Sequence, residues 1–385
     1  MSVSRLAHIP GIGVNLVGDA ADAAADPAIL RMENLDTDLR PPVVALERTR
    51  SAVDEDEANS YLPFEGHPQL RTAAAAHVSR TSGRTYDPGT ECVSVAGGLN
   101  GILNALLAVC EPGTEVVLSD PIYAGLVNRV RLAGAVPVHV PAEPTADGWR
   151  TDPQRLAAAV GPRTAAVLLM GPAMPSGLVL DPAHLDALAE PVARHGAWVL
   201  YDAAMERIRF DGRPPVHPAA HPVLRDRVIT VGSASKELRM IGWRVGWVVA
   251  PAAILADIAL VGMTNVVCQV GLAQQAVAAA LDAPDAAADV AAATATWQAR
   301  SAAVVDQLRD YPVVRPDGGW SLLVDTVELG LSPADASRRL FELGRVAATP
   351  MDGWGPSGER YLRLVFANEP VERLGDLRER FAAAF

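Results

Sequence analysis

From about residue 65 onward, short apolar runs alternate with stretches of helical spacing. Leu70 to Thr81 reads as a helix, and Ile102 to Cys110 as a second one entered through Gly97-Gly98. Glu115 to Leu118 is a short apolar strand ending at Ser119-Asp120-Pro121. Val136 to Val140, Thr164 to Met170, Trp198 to Asp202, Val228 to Val231 and Val245 to Val249 are further strands. Most are continuous apolar runs rather than alternating ones, as expected of strands covered on both faces. Helical stretches between them predict an open α/β sheet, with ligands collecting at the carboxyl ends of its strands.

The alanine-rich stretch from 276 to 304 reads as one long helix leading to a C-terminal part, punctuated by Pro312 and Pro316. Residues 317–385 form a smaller α/β unit, with Ser332 to Leu343 helical and Tyr361 to Phe366 a strand. Residues 1–44 are loosely patterned and read as an arm plus a short helix. Gly11 and Gly13 follow no strand and lack a third glycine at the right place, so they make no dinucleotide fingerprint. No internal repeat is visible.

Composition changes this picture in two ways. The net charge of −12 argues against nucleic-acid binding and suits a soluble protein. Cys92, Cys110 and Cys268 are far apart and odd in number, without metal-ligand or disulfide spacing. With no leader pattern and no membrane span, a reduced cytoplasmic protein without metal is expected. The second point is sharper: Lys236 is the only lysine in 385 residues. Arginine replaces lysine wherever positive charge suffices, but not where an amine must lose its proton.

The neighbourhood of that lysine carries chemistry. Val231-Gly232-Ser233-Ala234-Ser235-Lys236 is followed by Gly242-Trp243-Arg244-Val245-Gly246-Trp247. Hydroxyls and a guanidinium bind a phosphate dianion, and an amine condenses with an aldehyde. Pyridoxal 5'-phosphate offers both groups on one ring.

The segment resembles the lysine signature of the fold-type I, class I/II aminotransferases, and the similarity runs over most of the chain. Asn59 to Gly66 with Leu70-Arg71 is similar to the family's entry to its large domain. Gly97-Gly98-Leu99-Asn100 resembles its phosphate-binding turn, Asp120-Pro121-x-Tyr123 its ring-stacking turn, and Gly171 to Gly177 its Asn-Pro-x-Asn-Pro-Thr-Gly loop. Tyr201-Asp202 with Phe210-Asp211-Gly212 resembles its Tyr-Asp-Glu…Phe-Asp-Gly segment, and Tyr361-Leu362-Arg363-Leu364 the strand that bears its carboxylate-binding arginine.

The resemblance implies an aspartate-aminotransferase-like α/β fold. A large domain with a mostly parallel sheet would span residues 45–284, and residues 1–44 with 285–385 would form the arm and a small α/β domain. It implies that Lys236 carries pyridoxal phosphate as an internal aldimine, Asp202 pairs with the ring nitrogen and Tyr123 stacks on the ring. Gly98, Leu99, Asn100, Ser233, Ser235 and Arg244 would hold the phosphate, and Arg363 the carboxylate of an L-amino acid. A homodimer is implied, with Tyr61 reaching the neighbouring subunit's phosphate.

Two positions depart from the family. Met174 stands where an asparagine, and Met205 where a tyrosine, donates a hydrogen bond to the ring's 3-oxygen, and methionine donates none. Beside transamination stands a lyase, replacement or decarboxylating reaction on an amino-acid conjugate. A non-catalytic cofactor-sensing regulator would need a basic DNA-binding module, for which residues 1–44 are too short and too acidic.

Overall fold

The computed structural model describes residues 14–385, with Leu6 and Ile9 before them; Gly11 and Gly13 lie outside the described residues. The large sheet consists of β1 (Cys92–Val95), β2 (Glu115–Asp120), β3 (Val136–Thr145), β4 (Gly148–Thr151), β5 (Thr164–Met170), β6 (Trp198–Asp202), β7 (Val228–Ser233) and β8 (Gly246–Val249). Across the sheet they run β1-β8-β7-β6-β5-β2-β3-β4. Neighbours from β7 to β3 are parallel. The edge strands β1 and β4, and β8 beside β7, are antiparallel.

Period-two alternation splits each central strand between two cores. Val116 and Leu118 of β2 pack with Ile102, Leu106 and Ile258, while Val117 between them packs with Leu185, Leu188 and Val192 on the opposite face. Covered on both sides, the strands are apolar throughout, which is why they appear in the sequence as unbroken runs. Four helices matter for the site: α1 (Pro68–Ser82), α2 (Gly98–Val109), α3 (Ala124–Leu132) and α4 (Ala252–Val266). α1 starts at a proline suited to the first helical turn, with the His67 ring accepting from the Gln69 N–H at 3.2 Å, and stops at Gly83 in the left-handed region.

The smaller sheet is antiparallel. It runs β9-β10-β12-β11, with β9 (Val313–Val314), β10 (Ser321–Asp325), β11 (Thr349–Pro350) and β12 (Tyr361–Val365). Trp297, Trp320, Leu322, Leu364 and Phe381 fill its core together with Leu30 and Met32 from the N-terminal segment. That segment is fixed through its backbone: the Met32 N–H donates to the Ala347 carbonyl at 3.0 Å, and the Met32 carbonyl accepts from the Val365 N–H at 2.8 Å.

The structure corrects one element and adds others. The alanine-rich stretch is two helices, α5 (Gly271–Asp282) and α6 (Ala286–Gln307), separated by Ala283-Pro284-Asp285. Pro284 disfavours helical backbone in the residue before it, and Ala283 is accordingly extended at φ −57°, ψ 135°. β1, β4, β9, β10 and β11 are additional strands, β1 and β4 lying at sheet edges and each only 4 residues long. α2 begins at Gly98 rather than Ile102, because Gly97 at φ 84° is itself the turn into the helix. Among the described residues no helix is long and apolar enough to cross a membrane, and no cluster of His, Cys, Asp or Glu is placed to hold a metal ion.

Candidate active site

The parallel strands β5, β6 and β7 end in Met170, Asp202 and Ser233, and all three line one cavity of about 360 Å³. This is the carboxyl edge of the sheet, where the sequence pattern places a ligand.

One end of the cavity is an anion cup. A side chain at Gly97 would put its Cβ 2.6 Å from the Arg244 Nη2, and one at Gly98 would sit 3.2 Å from the Ser233 Cβ. Only glycine lets the turn, the β7 hydroxyl and the guanidinium come this close. Arg244, itself in the left-handed region, donates from Nη1 to the Ser235 Oγ at 3.3 Å and to the Ile241 carbonyl at 2.9 Å. The Ser233 Oγ accepts from the Ser235 N–H at 3.2 Å, which fixes the two hydroxyls relative to each other.

Lys236 and Asp202 lie beyond the cup. The Lys236 Nζ donates to the Leu35 carbonyl at 2.9 Å and stands 4.7 Å from the centre of the Trp320 ring. Desolvation pushes its pKa down to about 7, with the Asp36 and Asp202 charges opposing and the Arg363 and Arg244 charges assisting. Asp202 accepts from the Ala204 N–H at 3.1 Å. Burial raises its carboxyl to about 6, against the pull of that hydrogen bond and of Lys236.

The lysine shift has a consequence for stability. A lysine whose folded pKa is depressed costs the folded state most where both states are charged, and nothing where both are neutral. Without added cofactor, Lys236→Met is therefore expected to be more stable than wild type at pH 7, with the gap closing as pH rises to 10.5. Urea unfolding at the two pH values measures it; an equal gap at both would mean that the amine is not desolvated.

The other end holds Arg363, 1% exposed on β12. Its guanidinium donates to the Glu33 carbonyl and to the Thr349 Oγ1, approaches the Met174 sulfur at 3.8 Å and lies 4.7 Å from the centre of the Trp354 ring. Burial lowers its pKa to about 10, still charged at neutral pH, while Tyr123 and Glu33 act to raise it. Among the described residues its Nε has no hydrogen-bond partner. Tyr123, at the start of α3, meets Trp354 edge-on at 5.3 Å. Its ring folds over Gly125, where a Cβ would come within 2.4 Å.

Of the residues singled out in the sequence, the cavity brings together Gly98, Leu99, Tyr123, Met174, Asp202, Met205, Ser233, Ser235, Lys236, Arg244 and Arg363. Two stand apart. Tyr61 is 82% exposed and away from its own chain's cavity. The Asn100 side chain turns back to accept from the Ala96 N–H at 3.1 Å rather than lining the cavity, because it caps the glycine turn. The sequence reading missed Asn34, Leu35, Met170 and Ile241, which also line the cavity, and Trp354 behind Arg363. Trp354 carried a faint signal, a lone tryptophan between glycines shortly before Arg363; Asn34 and Leu35 carried none.

A mostly parallel sheet whose strand ends gather an amine, a buried carboxylate and an anion cup, beside a small antiparallel sheet bearing a buried arginine, is the aspartate-aminotransferase architecture. Comparison with known proteins agrees. The chain superposes on N-succinyldiaminopimelate aminotransferase from Mycobacterium tuberculosis with a TM-score of 0.92 and 29% identity, covering 100% of both chains. It superposes on aspartate aminotransferase from Thermus thermophilus, solved with maleate, with a TM-score of 0.92 and 27% identity, again over 100% of both. In sequence it is 32% identical to the arginine–pyruvate transaminase of Pseudomonas aeruginosa over 350 residues, 89% of this chain and 86% of that one. The profile of the aminotransferase class I and II family matches residues 31–381. The chain belongs to that family and is an aminotransferase-class enzyme.

Proposed function

We propose that this enzyme binds pyridoxal 5'-phosphate on Lys236 and transfers the amino group of an L-amino acid. The observation that carries the reading is the position of the only lysine, in one cavity with Asp202 and the Gly98–Ser235–Arg244 cup. The donor set fits the cofactor: a cup of hydroxyls, guanidinium and glycine backbone suits a phosphate dianion, and a buried carboxylate suits a cationic ring nitrogen. When bound, the cofactor supplies an aldehyde for amines and an electron-withdrawing ring.

The chain's own residues then divide the work. Ser233, Ser235 and Arg244 hold the phosphate, with the N–H groups of the Gly97-Gly98 turn. Asp202 holds a proton on the ring nitrogen, and Tyr123 covers one face of the ring. Arg363 grips the substrate carboxylate, its orphaned Nε being a donor still to be used. The Lys236 amine, whose pKa burial lowers to about 7, takes the proton from the substrate Cα and returns it.

The same reading includes a homodimer in which Tyr61 reaches the neighbouring subunit's phosphate, which its high exposure supports. It includes a large domain over residues 45–284 and a small one combining 1–44 with 285–385. The helix break at Pro284 and the packing of Leu30 and Met32 in the C-terminal core support this division. Three free thiols favour the cytoplasm.

Incubation of the cofactor-loaded protein with a panel of amino acids and keto acids, scored for keto acid, ammonia and carbon dioxide, tests the reading. Transamination gives keto acid matched by newly aminated acceptor. Ammonia or carbon dioxide as the main product would favour elimination or decarboxylation instead. Met174 and Met205 give that second reading its weight, because both line the cavity and neither donates a hydrogen bond. Donors at the ring's 3-oxygen stabilise its negative charge and weaken its hold on a neighbouring proton. The Met174→Asn, Met205→Tyr double variant is therefore expected to titrate at lower pH than wild type when the visible absorbance of the loaded protein is followed. Coincident curves would show that the two side chains do not reach that oxygen.

A further inference from the structure

The anion cup stands on a ladder of carboxamides, buried at its middle member, that the chemistry above leaves unused. Asn100 and Asn104 lie one turn apart on the same face of α2. The Asn104 Nδ2 donates to the Asn100 Oδ1 at 3.4 Å, and the Asn104 Oδ1 accepts from the Asn265 Nδ2 at 2.8 Å. The Asn100 Oδ1 also accepts from the Ala96 N–H at 3.1 Å. Asn265 thus donates to Asn104 and Asn104 to Asn100, and the Asn100 Oδ1 is where this chain meets the N–H of Ala96, the residue preceding Gly97. Asn104, in the middle, is 0% exposed. Gly262 on α4 makes room for it, since a Cβ there would come 3.3 Å from the Asn104 Nδ2.

The cup needs such support. Its helix begins on Gly97, whose missing side chain cannot cap the first turn. The Gly98 and Leu99 N–H groups find no protein acceptor among the described residues. These are the donors available to an anion, and their direction depends on the backbone at 96–98. Asn100 reaches back to Ala96 much as the third residue of a capping box reaches back to the helix start. The ladder behind it holds that carboxamide in place.

We propose that Asn104 and Asn265 are positioning residues for the Gly97-Gly98 turn, acting through Asn100 to aim the free N–H groups at the cofactor phosphate. This rests on the assignment of that turn to the phosphate. Asn100 then serves the cofactor through the backbone rather than by touching it.

The test compares pyridoxal phosphate with pyridoxal, which lacks the phosphate, by spectroscopic titration of the cofactor-free protein. The ratio of the two affinities isolates the cup, and a general loss of structure would weaken both ligands together. Asn104→Leu is expected to lower the ratio about tenfold and Asn265→Ala about threefold. Arg244→Ala, which removes a charged partner, is expected to lower it by on the order of a hundredfold. Asn265 is exposed, so its variant keeps the test decisive should Asn104→Leu fail to fold. An unchanged ratio in the asparagine variants, with a reduced one in Arg244→Ala, overturns the ladder alone. An unchanged ratio in Arg244→Ala overturns the assignment of the cup itself.

Discussion

Lys236→Ala is expected to leave a folded protein that holds no covalently attached cofactor and whose turnover is lower by on the order of 10⁴-fold or more. Two functions disappear with one amine. In the proposed chemistry the side chain supplies both the covalent anchor and the group that moves the proton at the substrate Cα, and Lys236 is the only lysine lining the cavity. Its depressed pKa, about 7, is part of the same design, because a fully charged ammonium could do neither. Lys236→Arg is expected to be equally inactive, since guanidinium keeps its proton. Borohydride treatment followed by peptide mass analysis reads the attachment directly, and with one lysine in the chain a modified lysyl peptide has a single assignment. A wild-type protein that takes up no cofactor at this residue, or a Lys236→Ala variant with normal turnover, would refute the proposed chemistry.

Arg363→Ala is expected to weaken amino-acid binding by about 2–5 kcal/mol, from tens of fold to several thousandfold, with far less effect on the cofactor. The size follows from burial: a charge-assisted, two-pronged pair is strong where water is excluded. Part of the loss will come from the wall, since the guanidinium also lies over the Trp354 ring and donates to Thr349. Arg363→Lys separates these contributions. It keeps the charge but not the planar fork, so an intermediate affinity is expected. Substrate-induced spectral change in the loaded protein gives the dissociation constant. An unaltered value in Arg363→Ala would mean that the carboxylate docks elsewhere.

What could be read from the sequence, and what could not, follows the range of the interactions. The strands of the large sheet were legible because burial on both faces writes them as apolar runs. The edge strands β1 and β4 were not, being short and weakly patterned. Ser233, Ser235, Lys236 and Arg244 were legible because one strand and the turn after it bring them together within a dozen residues. Asn34, Leu35 and Trp354 reach the cavity only through docking of distant segments, which leaves no local spacing to detect. The alanine-rich stretch misled through composition: alanine favours helix everywhere, and the single proline at 284 decides where that helix breaks. Asn100 was found by position, but nothing in the sequence tells that its amide turns back to Ala96.

The segment at Asn34 and Leu35, which lines the cavity, touches two of its cations through main-chain oxygens: the Glu33 carbonyl accepts from Arg363 and the Leu35 carbonyl from Lys236. Contacts of this kind do not depend on which side chain the residue carries. The backbone contacts to the two cations and the side-chain lining of the cavity are thereby uncoupled at neighbouring positions. Exchange of Asn34 or Leu35 is therefore expected to reshape the lining of the cavity while both backbone contacts remain.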